Sequence, residues 1–210
     1  MKKHAFPLIL IGLTALVWIF AYPKLPDQIP GHWGLNGEVD RYDSKFVSML
    51  SQLGILVLLY VTMAFLPKID PRKANYRFFS KSYSIIMNAL LAIFFAINML
   101  VILSALGTSI PISELAPTVL GVVFIMMGNY FQQVRSNFFI GIRTPWTLSS
   151  EDVWKKTHRL SGKLFFAGGI LLILVTFLPD KMESIALFSI ISVMLIVPYV
   201  YSYLLFSKEK

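Results

Sequence analysis

Between Lys81 and Glu114 the chain runs for 32 residues without Asp, Glu, Lys, Arg or His. No water-soluble helix or strand of that length goes without a charged face, so this run belongs in a bilayer. Lys45 to Lys68 encloses 22 such residues, Glu114 to Arg135 encloses 20 and Glu183 to Lys208 encloses 24. Two shorter runs, 5–23 with 19 residues and 164–179 with 16, complete the set. A helix crosses the hydrocarbon layer with roughly 20 apolar residues, so these runs predict an all-α membrane protein with six transmembrane helices. The runs are continuous and not alternating, which excludes a transmembrane β-barrel. The first run is longer than a typical signal-peptide core and no A-x-A cleavage site closes it, so it is expected to stay as an anchor. Cysteine is absent, which removes disulfide, thiolate-metal and thiol redox chemistry.

The net charge of +8 resolves along the same pattern. With six spans, the segments 1–4, 67–83, 134–163 and 208–210 share one side and hold 15 of the 19 Lys and Arg. The excess places both termini in the cytoplasm, with +11 inside and −3 outside. Topology thus accounts for the basic character without a nucleic-acid site. As segmented, no span carries an ionisable side chain of the Asp, Glu, Lys, Arg or His type, which argues against a proton-driven pump. Asn88, Asn98, Asn129, Gln132 and Gln133 are read as interhelical hydrogen-bonding groups, and Gly121, Gly128, Gly168 and Gly169 as close-packing positions. Pro23, Pro67 and Pro179 mark span ends, whereas Pro198 lies inside the sixth run and predicts a kink.

Two connections are long enough to fold. The outer one, residues 23–45, is punctuated by Pro26, Pro30, Gly31, Gly34 and Gly37 and predicts a compact, turn-rich cap without regular elements. Trp33 and Tyr42 suit the headgroup level. His32, Glu38, Asp40 and Asp43 lack a metal-ligand spacing, so the loop reads as a cap on the bilayer or as a receptor surface, with no metal site.

The inner connection, residues 134–163, predicts a helix after Pro145, capped by Ser149, with Glu151 and Asp152 in its first turn. At 100° per residue, Val153, Thr157, Leu160 and Leu164 fall on one face; Lys155, Lys156, Arg159 and Lys163 fall on the other. This describes an interfacial amphipathic helix before the fifth span, whose basic face meets anionic lipid or an acidic partner. His158 lies near Thr157 and Ser161, but nothing orients it as a catalytic base. No protease, hydrolase or phosphate-loop motif is present, so the chain reads as a non-enzyme without cofactor. Arg143 can hold a phosphate, a carboxylate or a carbonyl. Arg143→Ala or Trp146→Ala is expected to disrupt function more than Lys155→Ala, as read in a functional assay of single variants, because a lysine on a cationic face is replaceable.

The segment 128–137, then Ile140-Gly-Ile-Arg-Thr-Pro-Trp-Thr-Leu148, Val153-Trp154 and Lys156-Thr-His-Arg159 resembles the signature of the SdpI family of bacterial immunity proteins. The outer residues Leu25-Pro26, Ile29-Pro30, His32-Trp33, Gly37 and Asp40 resemble the DUF1648 module that often precedes it. The resemblance implies a DUF1648-like module over 1–66 and an SdpI-like module over 67–210. It further implies a multi-pass protein of the bacterial plasma membrane that protects against a secreted peptide toxin of the sporulation-delaying type. Capture of a cytosolic transcriptional repressor is implied more distantly. On that reading Pro26, Pro30, His32, Trp33, Gly37 and Asp40 face the toxin. Asn129, Asn137, Gly141, Arg143, Thr144, Pro145, Trp146, Thr147, Trp154, Thr157 and His158 form the cytoplasmic signature. A small-molecule transporter or lipid-modifying membrane factor is the alternative.

Overall fold

The computed structural model describes residues 2–34 and 38–209. Among the described residues seven α-helices and one hairpin occur in the order α1 (Lys2–Ala21), β1 (Gln28–Trp33), β2 (Val39–Ser44), α2 (Lys45–Ile69), α3 (Tyr76–Ala105), α4 (Ile112–Phe131), α5 (Pro145–Ser149), α6 (Glu151–Val175) and α7 (Asp180–Ser207). The protein is an all-α, multi-span membrane protein. Among the described residues five helices are long and apolar enough to cross a bilayer: His4–Lys24, Lys45–Ile69, Lys73–Ala105, Glu151–Val175 and Met182–Ser207. The remaining uncharged run forms α4, whose apolar stretch Leu115–Phe131 is shorter. It stops at a turn in which the Gln133 and Val134 amides bond back to Tyr130 and Phe131.

The chain divides into two compact units, Met1–Ala64 with Met87–Ala116, and Phe65–Ile86 with Pro117–Lys210. In the first, Trp18 and Ala21 of α1, Leu25 just before the hairpin, Ile29 of β1, and Val101 and Ile102 of α3 form one buried cluster. Trp18 Nε1 donates to Asn98 Oδ1 at 3.2 Å, so an intramembrane asparagine serves packing, as expected for such residues.

The outer connection departs from expectation, because Gln28–Trp33 and Val39–Ser44 pair as a two-stranded antiparallel sheet. The register shifts between Pro30 and His32 and again between His32 and Trp33. Proline and glycine therefore mark an irregular strand and not the absence of one. Ile29 and Pro30 of β1 are buried, while Asp40, Arg41 and Tyr42 of β2 are exposed. Lys45 closes the base, with Nζ 3.1 Å from Asp27 Oδ1 and 3.2 Å from the Leu25 carbonyl oxygen.

In the second unit, Phe131, Phe165 and Met194 centre an apolar core. The close-packing reading of the glycines is realised here. A Cβ on Gly121 would lie 2.6 Å from the Gly169 carbonyl oxygen, and one on Gly128 would lie 2.7 Å from that of Gly162. Backbones of α4 and α6 therefore touch directly, as small residues permit. The amphipathic segment and the fifth span prove to be one uninterrupted 25-residue helix, α6. Its buried stripe, from Val153 and Trp154 through Thr157, His158, Ser161 and Phe165 to Leu172 and Val175, packs against protein along the whole length. On α7 the buried positions Met194, Pro198 and Ser202 recur every four residues, and the apolar remainder is left for lipid.

The expected cap of the inner helix is also corrected. Ser149 lies within α5, and it is Ser150 Oγ that accepts from the Val153 amide at 3.3 Å to start α6. The chain needs two caps because α5 is a separate turn, closed by its own capping box between Thr144 and Thr147.

Candidate functional site

The inner connection of the second unit is a loop held by buried polar side chains. Asn137 is fully buried. Its Oδ1 accepts from the amides of Phe139 at 2.9 Å and Ile140 at 2.7 Å, and its Nδ2 donates to the carbonyls of Arg135 at 2.9 Å and Ile140 at 3.0 Å. One side chain thus substitutes for the secondary structure that this stretch lacks.

A second anchor comes from the turn after α2. Asp70, 2% exposed, accepts from the Arg72 amide at 2.6 Å through Oδ1. Its Oδ2 accepts from Tyr76 Oη and from the Phe138 amide, both at 3.0 Å. Three donors are what a desolvated carboxylate requires. Tyr76 Oη also reaches Asn137 Oδ1 at 3.4 Å, which joins the two anchors. Arg72 bonds Ser136 Oγ, donates to the Leu148 carbonyl at 2.7 Å and lies over the Phe138 ring. Asn75 Nδ2 adds a bond to the Ser136 carbonyl at 2.7 Å.

The third anchor is α6. Trp154 Nε1 donates to the Val134 carbonyl at 2.9 Å, and the Trp154 ring stacks on His158 with centroids 4.0 Å apart. His158 Nδ1 donates to the Trp154 carbonyl at 2.9 Å, and Nε2 accepts from the Ile142 amide at 3.0 Å. These partners fix one neutral tautomer and occupy both ring nitrogens. His158 therefore serves neither Thr157 nor Ser161 as a base. Gly141 lies directly against His158 Nε2 with φ +113°, a conformation and a clearance that glycine supplies.

The structure brings Asn137, Gly141, Thr144, Thr147, Trp154 and His158 of the expected signature into this one network. Thr144 Oγ1 extends it to Ser202 Oγ of α7 at 3.0 Å, and Thr147 Oγ1 donates to the Ile142 carbonyl at 2.8 Å. Pro145 opens α5, and Trp146 packs on Tyr199 and Tyr203 at centroid distances of 5.2 and 5.1 Å. Arg143 stays exposed, with Nη1 on the Phe138 carbonyl at 2.7 Å. Thr157 is buried and its Oγ1 has no hydrogen-bond partner among the described residues. Asn129 is exposed on α4, apart from the network.

In the first unit His32 Nδ1 meets Asp40 Oδ1 at 2.6 Å across the hairpin, with both side chains exposed. Trp33 is half-buried against the apolar cluster, Pro30 is buried and Pro26 exposed. Gly37 lies outside the described residues. No cluster of three or more His, Asp or Glu suited to a metal ion occurs among the described residues.

Sequence patterning alone does not single out Asp70, Arg72, Asn75, Tyr76 or Ser136. A signal is present, because Asp70 is the one acidic residue among the five cations of 67–83. An aspartate just before a proline at a helix end is a turn-former whose carboxylate seeks amides.

Residues 133–202 match the family described as the SdpI/YfhL protein family, and residues 9–57 match a domain of unknown function, DUF1648. The first match takes in the anchored loop with α5, α6 and most of α7, and the second takes in the hairpin. Over 208 residues the chain is 26% identical to the immunity protein SdpI of Bacillus subtilis (strain 168), covering 99% of this chain and 98% of that protein. No solved structure matches.

Proposed function

The chain belongs to the SdpI family and carries a DUF1648 region, and from that premise we propose that it is a membrane immunity protein protecting its cell against a secreted peptide toxin. The observation that carries this reading is the end-to-end similarity to an immunity protein. In the finer form the toxin is of the sporulation-delaying type. The DUF1648-like module spans 1–66 and the SdpI-like module 67–210, with α4 counted as a sixth span and both termini at the cytoplasmic side of the bacterial plasma membrane. The 15 to 4 distribution of Lys and Arg supports that orientation.

The hairpin would then meet the toxin. Its exposed His32–Asp40 pair and half-buried Trp33 offer a polar rim beside an aromatic anchor, the combination that dominates binding at protein surfaces. The anchored inner loop, presenting Arg143 and Trp146, would meet a cytosolic transcriptional repressor.

Expression in a toxin-sensitive bacterium, followed by toxin challenge, tests the reading. Survival is expected, and unchanged killing with confirmed membrane expression would overturn it. Trp33→Ala should weaken protection without loss of insertion; an aromatic anchor worth about 2 kcal/mol corresponds to roughly thirtyfold weaker binding. Full protection by both His32→Ala and Trp33→Ala would move the toxin site away from the hairpin.

A transporter or lipid-modifying factor is the second reading. It is favoured by Gln52 Oε1 and Asn88 Oδ1, which are buried in the first unit and lack hydrogen-bond partners among the described residues. Solute uptake by reconstituted vesicles, with no effect on toxin killing, would support it.

A further inference from the structure

We infer that the second unit holds an anionic phospholipid against the exposed side of α6, its phosphate at Arg159 and Lys163 and its acyl chain along Phe166 and Ile170. This goes beyond the immunity reading and does not depend on it.

The cationic face expected from the sequence is halved by its own helix. Lys155 Nζ lies 3.7 Å from Glu151 Oε2, and Lys156 Nζ lies 2.6 Å from Asp152 Oδ2, both pairs four residues apart. Arg159 and Lys163, one and two turns further on, are exposed and form no ion pair among the described residues. Arg135 is likewise exposed and unpaired, and its backbone is pinned by the bond from Asn137 Nδ2. The Gln132 side chain packs on Gly162, whose added Cβ would lie 2.9 Å from Gln132 Cγ. Positive charge that intrahelical carboxylates do not answer is therefore left at Arg159 and Lys163, which share the exposed side of α6.

The residues of α6 beyond Lys163 identify the occupant. The exposed positions there are Phe166, Ala167, Ile170, Leu171 and Leu174, all apolar. The change from charge to hydrocarbon takes place between Lys163 and Phe166, about 5 Å along the axis at 1.5 Å per residue. A free phosphate or an acidic peptide matches the cationic part alone. An anionic glycerophospholipid matches both, with its phosphate beside cations at the interface and its chain beside the aliphatic and aromatic surface below.

The full chain, purified in non-ionic detergent, would be titrated with phosphatidylglycerol and with phosphatidylcholine of the same acyl chains, and bound lipid read by native mass spectrometry. Each cation near an anionic headgroup contributes about fivefold, so phosphatidylglycerol should be retained at least tenfold better than phosphatidylcholine. R159Q/K163Q should bring the two lipids within about threefold of each other, whereas K155Q/K156Q, which removes cations already paired, should leave the preference within about twofold of the parent. Glycerol phosphate in excess should not displace the lipid. Equal retention of the two lipids by the parent chain would overturn the inference, and this comparison needs no variant to fold. So would an equal loss of preference in K155Q/K156Q, or full displacement by glycerol phosphate, which would make this a free-anion site.

Discussion

Asn137→Ala should lower the thermal unfolding midpoint of the purified protein by about 10 °C or more, the largest loss from any single truncation in the inner loop. Four hydrogen bonds of 3.0 Å or less converge on this fully buried amide, and two of them satisfy the Phe139 and Ile140 amides. Alanine leaves those donors and the Arg135 carbonyl without the side chain that pairs them. Each orphaned buried group costs about 1–3 kcal/mol, giving about 4 kcal/mol in all. At about 2–4 °C per kcal/mol for a chain of this size, the shift is easily read from the fluorescence of Trp154, which packs at the same loop. Asp70→Ala should cost a similar amount for the same reason, since it strands the Arg72 and Phe138 amides. Because Tyr76 Oη touches both side chains, the double variant should lose less than the two single losses combined. Arg143→Ala removes one exposed bond and should cost no more than about 1 kcal/mol of stability, so a loss of protection there would report function and not folding. An Asn137→Ala midpoint equal to the parent's would show that the loop does not depend on this amide.

The contrast between Asn137 and Asp70 marks what the sequence conveys. Uncharged runs translate into helices because a bilayer leaves the backbone no other choice, so α1, α2, α3 and α7 are legible as elements, although α3 (Tyr76–Ala105) begins and ends several residues before its run does. The signature around Asn137, Thr144 and His158 is legible as a unit, since its members lie close together along the chain. Asp70 pairs with a residue 68 positions away, and no local pattern encodes that. The hairpin is obscured for a different reason. Val39–Ser44 is held by cross-strand bonds such as Arg41 Nη2 to the Gly31 carbonyl at 3.2 Å, and its hydrophobicity does not alternate. The cationic face of α6 is visible in the helical wheel, but its partial neutralisation depends on rotamers that the wheel does not contain. In the sequence Arg143 stands directly before Thr144-Pro145-Trp146, where proline marks a turn. The turn is real, yet its rigidity resides in Thr144 and Thr147, and Arg143 projects from it.

Glycine replacements should separate sharply according to what a methyl group would meet. Gly128→Ala places Cβ 2.7 Å from the Gly162 carbonyl oxygen and closer still to the Phe166 amide, and Gly169→Ala places it 2.7 Å from the Ile125 amide. These obstacles are backbone, so α4 and α6 must move apart. Overpacking of this kind costs about 1–3 kcal/mol, and separation also forfeits the contacts between the two pairs of glycines, so the expected loss lies at the top of that range. Gly168→Ala meets the flexible Met194 side chain, which can swing aside, and should cost less. Gly12→Ala and Gly54→Ala meet nothing within 4 Å and should be neutral or stabilising by up to about 1 kcal/mol, since alanine is the better helix former. All five replacements add the same single carbon, so hydrophobicity and volume are held constant and only the neighbour differs. Equal unfolding midpoints for Gly54→Ala and Gly128→Ala would refute direct backbone packing between α4 and α6. The expected order, with Gly12 and Gly54 highest, Gly168 intermediate and Gly128 and Gly169 lowest, holds if α4 is kept in place by this seam.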